Sequence, residues 1–93
     1  MNVHFTWDPP KARANIRKHG VAFEEATTVF ADPLALIVND TAYSDRSLII
    51  GESIVRRILV AVFVEIADDE IRLISARRAT RHERRFYEQG QGE

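Results

Sequence analysis

Hydrophobic and polar positions follow two different periods along this chain, and the change between them divides it into halves. Val3 to Trp7 is rich in β-prone residues and reads as a short strand. Asp8-Pro9-Pro10 then opens a helix, because aspartate suits the cap and proline is tolerated in a first turn whose N–H groups lack partners. Ala12 and Ile16, four apart, share one face of this helix, which runs to about His19. Gly20 stops it by supplying the left-handed conformation common just past a helix end. Phe23, Ala26 and Phe30 mark the inward face of a second helix, ended by Asp32-Pro33.

Beyond Pro33 the period shortens to two. Leu34 to Val38 is an apolar run of strand length, Asn39 to Asp45 is a polar connection rich in turn formers, and Ser47 to Gly51 is another strand. Ile58 to Ile66 carries the strongest strand signal. Ile58, Val60, Val62, Val64 and Ile66 take one face, and Leu59, Ala61 and Phe63 the other, as a central strand covered on both sides requires. Ala67-Asp68-Asp69 is a short turn that returns Glu70 to Ser75 antiparallel. Thr80 and Glu83 have the Thr-x-x-Glu spacing of a capping box, so a last helix starts at Thr80 and runs to about Gln89, leaving 90–93 as a frayed tail. The expected fold is α+β: an N-terminal strand, two helices, a mainly antiparallel meander and a C-terminal helix, in one domain spanning 1–93.

Composition narrows the function. The absence of cysteine excludes disulfides and thiolate metal sites. The N-terminus has no basic region followed by an apolar core, and the longest apolar run, Ile58 to Val64, falls far short of the roughly 20 residues of a membrane helix. A cytoplasmic protein without membrane contact is expected. The net charge of −1 conceals an asymmetry: eleven of the thirteen basic residues are arginine, and six of those lie between Arg72 and Arg85. Arginine's planar fork suits bidentate contact with phosphate, so a local positive face is expected near one end of a nearly neutral chain.

Most catalytic arrangements are missing. The glycines at 20, 51, 90 and 92 form no phosphate-cradling loop, and His4, His19 and His82 have no metal-ligand spacing, so neither a cofactor nor a metal is expected. The remaining Arg, Lys, His and Tyr side chains suffice for one reaction. RNA carries its own nucleophile, the 2′-hydroxyl; cleavage then needs a base, cations for the charge on phosphorus, and an acid for the leaving 5′-oxygen. Histidine suits either proton-transfer role near neutral pH.

The stretch Ile74-Ser75-Ala76-Arg77-Arg78-Ala79-Thr80 runs from strand into helix. Alternation sends Arg77 and Arg78 off the edge of the sheet in opposite directions, ahead of helix N–H groups that favour a phosphate. Pairing with Glu83 and Glu88 is the competing, purely structural role. Of Phe86 and Tyr87 only one can point fully inward; Phe86 is expected in the core, leaving Tyr87 to stack on a base, reach a phosphate or pack. Lys18 and His19 either complement a helix C-terminus or join the site.

Two segments resemble signatures of the BrnT family, the toxins of type II toxin–antitoxin pairs. They are Trp7-Asp8-Pro9-Pro10-Lys11 with Asn15 to Ala26, and Ile74 to Thr80 with Glu83, Tyr87 and Glu88; Asp45-Arg46 before Ile49-Ile50-Gly51 also matches in place. The resemblance covers about Phe5 to Glu88. It implies a RelE-like fold and metal-independent endoribonuclease activity that inhibits translation. It also implies a small ribbon-helix-helix (BrnA-like) antitoxin through which operator DNA is contacted, with a homodimer and a heterotetramer with the antitoxin both open. Carried over, Arg77 and Arg78 are phosphate and transition-state cations, His19 transfers protons with Lys18 in support, and Arg46, Arg57, Arg81 and Tyr87 bind RNA. Phe63 and Ile66 depart from the family, which often has a hydrogen-bonding aromatic and an arginine there; Ile54-Val55 replaces a glycine-containing turn. The alternative is a non-catalytic module of the same fold that binds RNA or a partner. Direct DNA binding ranks last, since no helix-turn-helix pattern is visible.

Overall fold

Local signals set the ends of the first and last helices where the sequence places them, whereas the second ends at Val29, ahead of the expected stop at Asp32-Pro33, because the N–H groups of Phe30, Ala31 and Asp32 bond three residues back in a tighter turn. The computed structural model describes residues 3–90: β1 (His4–Thr6), α1 (Pro9–His19), α2 (Phe23–Val29), β2 (Leu36–Asn39), β3 (Ser47–Glu52), β4 (Ile58–Ala67), β5 (Glu70–Arg78) and α3 (Arg81–Gln89). Gly20 closes α1 at φ +70°, in the left-handed region, with its N–H donating to the Ile16 carbonyl. Asp8 occupies the α1 cap position, yet its side chain makes no capping hydrogen bond. At α3 the capping box is complete: Glu83 N–H donates to Thr80 Oγ1 at 3.2 Å, and Thr80 N–H donates to Glu83 Oε1 at 2.8 Å. Gly90 caps α3; the remainder of the expected frayed tail, 91–93, lies outside the described residues.

The five strands form one mixed sheet in the order β1-β5-β4-β3-β2. β2 to β5 are the expected antiparallel meander, but β1 lies parallel to β5, pairing Phe5 with Ile71. β1 and β2 are thus opposite edges, and α1 and α2 carry the chain across the face between them. Two strand boundaries move by more than one residue. β2 starts at Leu36 because the carboxylate of Asp32 holds Leu34 N–H in a turn at 2.9 Å. β5 continues past Ser75 to Arg78, with Arg77 opposite Val60 and Arg78 opposite Leu59, so both arginines belong to the sheet rather than leaving its edge.

The core has two layers. Leu59, Ala61 and Phe63 of β4 pack with Phe23, Ala26 and Val29 of α2 and with Leu73 and Ala76 of β5; Phe30 joins this cluster through a T-shaped contact with Phe63 at 5.0 Å. On the other face Ile50 and Val60 pack against Tyr87 of α3. That second cover is short, and Ile66 near the end of β4 is 51% exposed. The expectation for α3 is reversed: Phe86 is 47% exposed and Tyr87 only 5%. The reason is polar. Tyr87 Oη donates to Asp32 Oδ2 at 2.6 Å, an oxygen that also accepts Glu52 N–H at 2.8 Å, and phenylalanine has no hydroxyl to offer. Gly51 lets these elements approach; a Cβ there would stand 2.9 Å from Val29 Cγ1 and from Ala35 Cβ.

In α1 the buried residue is Asn15, while Ile16 is 49% exposed, so the apolar face expected at Ala12 and Ile16 is only half correct. Asn15 Nδ2 donates to the carbonyls of Val21 (2.9 Å) and Ala76 (2.8 Å), and its Oδ1 accepts Ala76 N–H at 3.1 Å. Replacing Asn15 with Leu, similar in size but unable to pair, strands three buried backbone groups. We expect a loss of about 2–4 kcal/mol in denaturant unfolding, whereas a loss below about 0.5 kcal/mol would show that the clamp is dispensable.

Candidate functional site

Three segments converge beyond the end of β5: the last turn of α1, the β3–β4 hairpin, and the start of α3. The hairpin turn Ser53–Arg57 is closed by Ser53 N–H donating to the Arg57 carbonyl at 2.8 Å. Arg56 in this turn has φ +69°, a left-handed conformation that costs a side-chain-bearing residue about 1 kcal/mol. Arg57 turns toward α2 and grips Glu25 with both prongs, Nε to Oε2 at 3.0 Å and Nη2 to Oε1 at 2.5 Å. The same Nη2 donates to the Gly20 carbonyl at 3.2 Å, and Ser53 Oγ donates to Glu25 Oε2 at 2.7 Å. The Arg57 hydrogen bonds hold the Glu25 carboxyl below its ordinary range against the opposing effect of burial, with Ser53 and the charges of Arg57 and Arg78 assisting.

Arg78 shares the sheet face of Ala76 and Leu59 and forms no ion pair with a carboxylate among the described residues. With Arg56, Arg57, Arg84, Ile58 and Ala79 it lines a groove of roughly 360 Å³. Arg84 also lines an adjoining depression with Arg81, Arg85 and Glu88, which makes the basic surface continuous along α3. Lys18 and His19 reach the same end of the molecule, because Asn15 fixes α1 to Ala76 and Arg57 fixes Gly20. Lys18 is exposed and His19 half-buried.

The structure separates the other candidates from this groove. Arg77 points to the α3 side and is paired with Glu83 through Nη1–Oε1 at 2.7 Å and Nη2–Oε2 at 2.8 Å. This is the structural role weighed above, realised for Arg77 with Glu83; Glu88 lies beside Arg81, Arg84 and Arg85 instead. Arg46 stacks over the Tyr43 ring, 4.3 Å from its centroid, at the far end of β3, about 20 Å away at ordinary strand rise. Tyr87 is packed beneath α3 and offers no face to a base. Phe63 is in the core and Ile66 lies at the distant end of β4, so neither departure from the family touches the groove. Sequence reasoning missed Arg56, Arg84 and Glu25. A tandem Arg56-Arg57 between two strands and the Arg81–Arg84 spacing of three were available signals; Glu25 had none.

A family model described as "Ribonuclease toxin, BrnT, of type II toxin-antitoxin system" matches residues 7–83 of this chain. Among solved structures, the crystal structure of the Brucella abortus ribonuclease toxin BrnT is similar with a TM-score of 0.71 at 27% sequence identity, covering 86% of this chain and 100% of that one. No curated protein matches.

Two outcomes test the assignments made from this geometry. Arg77, above all other influences, holds the Glu83 carboxyl at about 2, against an ordinary value of 4.5. A folded-state value below the unfolded one means stability that is present above about 4.5 and drains away as pH falls toward 2. Glu83→Gln should therefore cost about 1 kcal/mol at pH 7, after allowance for solvent screening, and almost nothing at pH 2; equal costs at both pH values would rule out the linkage. Tyr87→Phe should lower stability by about 1–2 kcal/mol and leave RNA affinity unchanged, whereas weakened RNA binding with unchanged stability would return Tyr87 to the site.

Proposed function

The chain belongs to the BrnT family of ribonuclease toxins of type II toxin–antitoxin systems, and from that premise we propose that it cleaves RNA in the arginine groove by attack of the substrate's own 2′-hydroxyl, without a metal ion. The carrying observation is the groove itself, where Arg56, Arg57, Arg78 and Arg84 line one concave surface beside the last turn of α1. Guanidinium groups donate to phosphate oxygens and repel a divalent cation, so this lining suits an RNA backbone held without metal.

In this reading Arg78 is the transition-state cation, since no carboxylate pairs with it among the described residues. Arg57 binds the scissile phosphate with the two N–H groups of its Nη1, and Arg81, Arg84 and Arg85 guide the flanking strand along α3. His19 accepts the 2′-hydroxyl proton as the 2′-oxygen bonds to phosphorus and the P–O5′ bond breaks; the leaving 5′-oxygen takes a proton from water, and the Lys18 ammonium supports His19. Arg77 serves at one remove, by fixing Glu83 and the start of α3. Arg46 contacts RNA only where a long substrate extends past β3. The family's antitoxin, a ribbon-helix-helix protein in this proposal, restrains the toxin in the cytoplasm by covering the basic face and carries the contact with operator DNA.

The test is incubation of antitoxin-free protein with end-labelled RNA in excess EDTA. The expected products carry 2′,3′-cyclic phosphate and 5′-hydroxyl ends, with the rate lowered about 100-fold or more in Arg78→Ala and changed less than about threefold in Arg46→Ala. Cleavage abolished by EDTA and restored by magnesium would overturn the metal-free mechanism. RNA bound but left intact would favour the non-catalytic module.

A further inference from the structure

The Glu25 carboxylate is the only acidic group bonded to a groove arginine from outside the hairpin itself among the described ion pairs, and its position is unusual for a surface-bound helix. It stands in the first turn of α2, where the helix N-terminus stabilises a negative charge. All of its bonds lead to other elements. Oε1 and Oε2 hold Arg57, Oε2 also accepts from Ser53 Oγ, and through Arg57 Nη2 the same contact extends to the Gly20 carbonyl directly after His19.

We propose that Glu25 is a positioning residue of the RNA-cleaving site, setting the Arg57 guanidinium and the His19-Gly20 turn against Arg78; this rests on the function proposed above. Three of the carboxylate's about four acceptor sites are taken by Arg57 and Ser53, which fits a group that holds its neighbours in place rather than a general base. The hairpin supports the same conclusion from the other side. Arg56 is held left-handed beside a turn whose Ile54 is 75% exposed, so neither backbone preference nor apolar packing fixes Arg57; the Glu25 and Ser53 bonds do. A planar two-pronged pair determines both distance and orientation, which a single contact cannot. Without it, Arg57 is free to swing on four rotatable bonds and the Gly20 carbonyl loses its donor. Misplacement of a catalytic constellation by about 1 Å can cost up to about 100-fold in rate while leaving binding nearly intact.

The experiment compares the wild type with Glu25→Gln, which keeps the shape and loses the charge, and Glu25→Asp, which keeps the charge and withdraws it by one methylene. Three quantities are read: single-turnover cleavage of a labelled RNA oligonucleotide, affinity for the all-2′-deoxy oligonucleotide of the same sequence, and the Arg57 Nε–H resonance in ¹⁵N spectra. Both variants should cleave about 10-fold or more slowly, bind the deoxy oligonucleotide within about threefold of wild type, and show an Arg57 Nε–H signal broadened by exchange with water. Parallel losses of rate and binding, or unchanged rates and an unchanged Arg57 signal, would overturn the proposal. Should Glu25→Gln fail to fold, Glu25→Asp and Ser53→Ala decide on the same readings. If the wild type leaves RNA intact, the ribonuclease reading falls separately, and the Arg57 resonance still reports whether Glu25 orders the guanidinium.

Discussion

The geometry of the basic end depends on Asn15. Its amide is buried between α1 and β5, where it satisfies two carbonyls and one N–H that would otherwise face apolar surroundings. Because Ala76 directly precedes Arg77-Arg78, this clamp ties the C-terminal end of α1 to the strand that delivers both arginines. Lys18 and His19 are separated from Arg78 by most of the sequence, and the Asn15 clamp, with the Arg57 bond to the Gly20 carbonyl, keeps the two segments in one neighbourhood. An apolar residue at position 15 would pack but would leave the register between helix and strand unspecified, since hydrophobic contact has no direction.

A second constraint is the unequal neutralisation of the arginines. Arg77 is committed to Glu83 and Arg57 to Glu25, and both pairs also stitch elements together, one joining β5 to the capping-box glutamate of α3 and the other joining α1, α2 and the hairpin. Arg78, between them, has no such partner among the described residues. Adjacent residues in one strand, pointing to opposite faces, therefore differ in charge balance: one is tied into an ion pair and the other is not. This also reconciles a net charge of −1 with a groove lined by four guanidinium groups, because the compensating acids lie behind the groove or away from it.

Much of the fold was legible because its signals are local. The left-handed Gly20, the Thr80–Glu83 box and the two-sided apolar pattern of Ile58 to Ile66 act within a few residues and need no tertiary partner. What escaped depends on distant partners. The inward turn of Tyr87 rather than Phe86 follows from Asp32, in the connection between α2 and β2, and the burial of Asn15 from carbonyls in β5 and the α1–α2 loop. The parallel placement of β1 follows from topology, which alternation cannot encode. At the site, Arg78 and Arg57 stood out by residue type and family signature. Glu25 did not, since an acid in a first helical turn has a sufficient local explanation and nothing in the sequence shows what its far side touches.

The parallel pairing of β1 with β5 has a temporal consequence. Residues 4 to 6 leave the ribosome well before residues 70 to 72, which are their hydrogen-bonding partners, and the groove also needs Arg78 and Arg84. Loop closure over so long a separation is entropically costly and is favourable only once the meander has formed. An incomplete chain thus holds the arginines of the hairpin without the strand and helix that would give them a common target. The basic groove is, by this ordering of contacts, a property of the chain only once its last strand and helix have been made.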